Sequence, residues 1–139
     1  MYRINVTNLL LVLLFILLGN SSLYAQSTKT AAAVKPHVTF AGKDSGNISL
    51  SNVKQYTGIT VNAPYKIAQF TIVINSSKAG AKPLTYYTLM SNEFSKEVIK
   101  DLAERGADVA IILDEIKAKD PSGNIIKVAP SVFHVVADK

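Results

Sequence analysis

Between residues 67 and 74 apolar and polar positions alternate. Ala68, Phe70, Ile72 and Ile74 fall on one face, with Gln69 and Thr71 opposite. That period of two marks a strand with one buried face. Asn75–Gly80 breaks the pattern, and Leu84–Met90 (LTYYTLM) favours extension again through its β-branched and aromatic content. Asp108–Lys119 reads as a long strand with Val109, Ile111 and Leu113 on one face and Ile112 and Ile116 on the other. Its apolar side changes near Asp114, which predicts a bulge or a strand covered on both faces. Asp120-Pro121-Ser122-Gly123-Asn124 is a turn, and Ile125–Val128 with Ser131–Val136 completes a hairpin-like C-terminus.

Towards the N-terminus, Pro36–Phe40 begins an extended segment, since proline suits the first residue of a strand. Ile48 and Leu50 alternate with Ser49 and Ser51 as a short strand, and Gly58–Val61 is a further apolar fragment. One helix is expected over about 95–105. Ser95 can cap it, Glu97 and Asp101 oppose the positive end of its dipole, and Arg105 sits at the negative end. Val98, Ile99, Leu102 and Ala103 make its apolar stripe, and Gly106 permits a left-handed cap. Six or seven short strands at spacings of about 8–12 residues predict a mainly β, antiparallel sandwich interrupted once by a helix.

The first 25 residues have a different character. Arg3 precedes ten apolar residues, Leu9–Leu18, too few to cross a hydrocarbon layer of roughly 30 Å comfortably. Gly19–Ser22 and Leu23-Tyr24-Ala25 follow as a polar region and a cleavage site, so residues 1–25 read as a secretory signal peptide. Residues 26–35 read as a flexible leader and 36–139 as one β domain. The expected location is the periplasm or beyond, with no membrane span after cleavage.

Composition narrows the chemistry. The 139 residues include no Cys and two His, so there is no disulfide framework, thiolate nucleophile or cysteine-based metal site. Losing Arg3 takes the formal charge from +5 to +4. The lysines are scattered along the sequence among acidic residues, unlike the concentrated stripe of a nucleic-acid surface. No cofactor is implied.

Gly42-Lys43-Asp44-Ser45-Gly46 is a turn and not a phosphate loop, because His37 and Asp44 stand where glycine and Ser or Thr are required. His37 and His134 lie in strand patterns that turn each outward, with no ligand-spaced partner. Asp114 and Glu115, adjacent in a strand, should point to opposite faces and share no proton. Tyr86 and Tyr87 likewise place one ring in the core and one outside as an interface anchor. Lys117, Lys119 and Lys127 flank the turn at Pro121–Gly123 and make its arms basic. These five residues, Tyr86, Tyr87, Lys117, Lys119 and Lys127, are the candidate interface.

The order of motifs resembles a known domain. Phe70-Thr71-Ile72-Val73-Ile74 leads to Ser91-Asn92-Glu93-Phe94-Ser95, then Gly106-Ala107-Asp108-Val109. Ile116–Gly123 (IKAKDPSG) and Val128-Ala129-Pro130-Ser131-Val132-Phe133 follow, and Val38–Ile59 contributes the N-terminal part. Over roughly residues 36–136 this is similar to the C-terminal periplasmic domain of the GldM family of gliding motility and type IX secretion in the Bacteroidetes. The resemblance implies an immunoglobulin-like β domain in the periplasm. It also implies a non-enzymatic role in contacts with gliding or type IX secretion components or with itself. The alternatives are a small soluble periplasmic ligand-binding protein and, further off, a hydrolase using Asp108, Asp114 or Asp120 with a nearby His.

Overall fold

The two longest alternating segments become the central strands of one sheet. This is seen in a computed structural model that describes residues 34–76, 78, 80 and 82–139. The signal expected over 1–25, and the leader as far as residue 33, lie outside the described residues. Residues Lys35–Lys139 form one compact unit. In chain order its elements are β1 (Val38–Thr39), β2 (Gly46–Ser49), α1 (Leu50–Gln55), β3 (Thr60–Val61), β4 (Lys66–Ser76) and β5 (Thr85–Leu89). Then come α2 (Lys96–Arg105), β6 (Val109–Lys119), β7 (Ile125–Lys127) and β8 (Ser131–Val136). The fold is mainly β, with two sheets and one ten-residue helix where the capping signals place it.

The large sheet runs β2-β8-β6-β4-β5, with β7 also paired to β6, while β1 and β3 form the small sheet. Among the described residues all strand pairings are antiparallel except one: β2 lies parallel to β8, with Ile48 opposite Val135. This departs from the all-antiparallel expectation, because β2 reaches the sheet from a long connection and not from a hairpin.

A single inner face carries the core. Phe70, Ile72 and Ile74 of β4, Val109, Ile111 and Leu113 of β6, and Phe133 and Val135 of β8 are all buried. Val38, Phe40, Ile59, Val53 of α1, and Val98 and Leu102 of α2 pack against them. The two sheets meet at Phe40. Its ring centroid is 5.6 Å from that of Phe133 and 5.3 Å from that of Phe94, both edge-on, the arrangement aromatic quadrupoles favour. Gly58 lies beside Glu93 in an isolated bridge, and an added Cβ would fall 2.3 Å from the Asn92 carbonyl oxygen, so no larger residue fits there.

Three local readings change. Ser49 ends β2 and its Oγ accepts from the Asn52 N–H, so Leu50 and Ser51 begin α1 and do not extend the strand. In β4, the step from Ile67 to Gln69 spans two residues where β6 advances one, from Ala118 to Lys117. This bulge turns Ile67, and not Ala68, toward the core. In β6, the step from Lys117 to Asp114 spans three residues against two in β4, and Glu115 adopts φ +48°. The extra residue returns Ile116 and Ala118 to the face of Leu113, so β6 is buried on one side throughout.

Phe40→Ala is expected to remove about 3–5 kcal/mol of stability, since it empties the contact between the two sheets. Urea unfolding of both proteins, with unchanged slope and a lower midpoint for the variant, checks this.

Candidate interaction surface

Residues directly opposite one another in an antiparallel pair share a face, so the registers define the outer surface of the large sheet row by row. One row reads Tyr86, Val73, Ile112, Val132 across β5, β4, β6 and β8. Below it lie Thr88, Thr71 and Asp114, and above it Asn75, Ala110, His134 and Asn47. Among the described residues no element covers this face. Val73 is 9% exposed, whereas Tyr86 is 67% exposed. An apolar ridge with polar rows on both sides is the layout of a contact surface.

The two candidate tyrosines separate as alternation requires. Tyr86 stands on the ridge, while Tyr87 packs toward the core and its hydroxyl donates to Asp101 Oδ2 at 3.3 Å. That contact belongs to a cluster tying β5 to α2. Arg105 Nε donates to Asp101 Oδ1 at 3.0 Å, and the Thr85 hydroxyl donates to Asp101 Oδ2 at 2.8 Å. The Arg105 guanidinium also donates to the carbonyls of Lys82 and Pro83. Burial pushes the Asp101 carboxyl up. The hydrogen bonds from Arg105 and Thr85, the Arg105 charge and the Tyr87 hydroxyl outweigh it, leaving the group below its ordinary range. Composition alone gives no sign of this cluster, whose i, i+4 pair on the helix reads only as dipole compensation until β5 is laid beside it.

The candidate lysines occupy the far end of the same face. Lys117 lies opposite Lys127, and Lys119 opposite Lys66. The outward side is theirs because Ile116 and Ala118 point inward. Lys66, which the sequence reading did not single out, is brought in by a pairing between residues far apart in the chain. A hollow of about 470 Å³, lined in part by Asp114, Glu115, Lys117 and Lys127, lies beside the bulge.

Asp114 and Glu115 were expected on opposite faces, and here the structure corrects the reading. Thr71 lies opposite Asp114 and its hydroxyl donates to Glu115 Oε2 at 3.0 Å, so both carboxylates share the outer face. The bulge breaks the strict alternation on which the expectation rested. The Glu115 N–H in turn donates to Asp114 Oδ1 at 2.7 Å.

Other candidates fall elsewhere. His37 and His134 are both exposed, as their strand patterns predict. A second hollow, of about 300 Å³, is lined by Asp108 and His134 among others, and the Asp108 carboxylate lies 3.2 Å from Lys78. It brings one of the acids of the hydrolase alternative and an imidazole to a single hollow. Asp120 accepts from the Asn124 side chain and backbone, which hold its carboxyl below the usual range and close the turn. Among the described residues no group of three or more His, Asp or Glu could hold a metal ion. No helix among them is long and apolar enough to cross a membrane. Searches against family models and curated proteins find no match.

The Asp101 cluster makes stability depend on acid. A carboxyl lowered by folding contributes fully above its unfolded value near pH 4, and the contribution disappears as pH falls through the lowered folded value. Unfolding of the wild type from about pH 6 down to about pH 2 should therefore show a loss that Asp101→Asn flattens. Asp101→Ala, which strands the buried Arg105, should cost about 3–5 kcal/mol at neutral pH.

Proposed function

We propose that this chain is a non-enzymatic interaction module of the cell envelope, docking protein partners through the outer face of its large sheet. One observation carries the reading. The in-register row Tyr86, Val73, Ile112 and Val132 crosses four strands, and no described element lies over it. An amphipathic tyrosine beside partly sheltered aliphatic side chains suits an anchor, because it gains buried area with little loss of side-chain freedom. The tie from Asp101 and Arg105 to β5 supports this, since it holds the strand that presents Tyr86.

The resemblance to the GldM C-terminal domain supplies the setting. Export by the N-terminal signal would place the module in the periplasm or on the cell surface, with gliding or type IX secretion components, or a second copy, as partners. The module would be accessory to that machinery and would bring no chemistry of its own.

Site-specific photocrosslinking in intact cells tests the reading. A photoreactive residue at Tyr86 is expected to yield a discrete adduct with another envelope protein, and one at exposed Gln55 on α1 is not. Absence of an adduct from positions 86, 112 and 132 alike would sink the proposal.

A further inference from the structure

Four lysines share one end of the outer face, and the sheet gives them no partner. Lys66 faces Lys119 and Lys117 faces Lys127 in direct register. Like charges directly opposite one another in a sheet are destabilising. None of the four forms an ion pair with a described residue. The nearby carboxylates are engaged otherwise. Asp120 is held by Asn124, Glu115 accepts from Thr71, and Asp114 accepts from the Glu115 N–H. The sheet thus brings four ammonium groups together with no ion-pair partner among the described residues.

The pattern has a definite geometry. Opposite side chains lie about 5 Å apart across strands, and residues two apart along β6 about 7 Å. The second spacing equals the repeat of alternate side chains in an extended peptide. Ile125, 54% exposed, lies opposite Lys119 and adds an apolar contact to the same row. Directly beyond Lys117 the sign reverses at Glu115 and Asp114, with the hollow of about 470 Å³ at the junction. A uniformly anionic surface would meet those two carboxylates unfavourably. A chain segment of patterned charge would not.

Resting on the interaction-module reading, we propose that this end of the face docks an extended acidic segment of the partner protein. Alternate Asp or Glu side chains would lie over Lys66, Lys117, Lys119 and Lys127, and a basic residue just beyond would meet Asp114 and Glu115. An apolar side chain at the change of sign would enter the hollow.

The test uses a short fluorescent peptide alternating Glu with Val and ending in Arg, and a second with every Glu replaced by Gln. Fluorescence anisotropy with the exported chain is expected to show the Glu peptide binding at least about tenfold more tightly, with an advantage that salt erodes. The double variants Lys66→Glu/Lys119→Glu and Lys117→Glu/Lys127→Glu should each abolish that preference. Lys54→Glu/Lys96→Glu, an equal change of net charge elsewhere, should retain it. Lys117→Gln relieves one like-charge pair, so its melting temperature should match or exceed that of the wild type. A fall would mean the lysine is structural and would overturn the proposal. Equal binding of both peptides would overturn it too. So would vesicles containing phosphatidylglycerol competing away the Glu peptide, or loss of binding on self-association in sedimentation. The photocrosslink at position 86 is read independently, so the partner-binding role can survive the failure of this inference, and the reverse.

Discussion

The structure depends on one strand keeping a single face against the core over eleven residues. Strand β6 pairs with β4 along its whole length, with β8 at one end and with β7 at the other. Its apolar residues cannot all share a face in a regular strand, because Leu113 and Ile116 are three apart. The left-handed residue Glu115 absorbs the mismatch, and the opposite irregularity near Ala68 in β4 restores the pairing beyond it. A strand that slipped by one residue would expose its buried set, so the bulges protect the register of all three partners. The two-sheet core, the apolar ridge and the lysine end are placed by that correction.

Burial of charge serves a related purpose on the other side of β5. Asp101 and Arg105 are almost wholly enclosed, and their pairing reaches the carbonyls of Lys82 and Pro83 and the hydroxyls of Thr85 and Tyr87. An edge strand has only one neighbour to hold it, so β5 gains a second attachment through the helix. This attachment keeps Tyr86 and its row in place with few residues spent on packing.

Much of this architecture was legible in the sequence, for local reasons. The Ser95 cap, the stripe of Val98 and Leu102 and the Gly106 stop define α2 almost to the residue. Alternation at Phe70, Ile72 and Ile74 identifies the buried face of β4. What escaped depends on pairing at a distance. Helix α1 is six residues long and its only buried side chain is Val53, so it lacks a helical stripe to read. Lys66 joins Lys119, and Val73 joins Tyr86 and Ile112, only once the sheet is assembled. The shared face of Asp114 and Glu115 is hidden for the same reason, since one bulged residue shifts the alternation without leaving a mark on composition.

The parallel pairing of β2 with β8 sets an order of events for a chain synthesised from its N-terminus. Strand β2 has no neighbour in the large sheet until β8 arrives, near the far end of the sequence. Loop closure over such a separation is entropically costly and slow. The β2 edge therefore stays open while the intervening strands assemble, and the large sheet is completed only when β8 is in place. A protein cut short before Ser131 would present two unsatisfied borders, those of β2 and β6, as templates for aggregation.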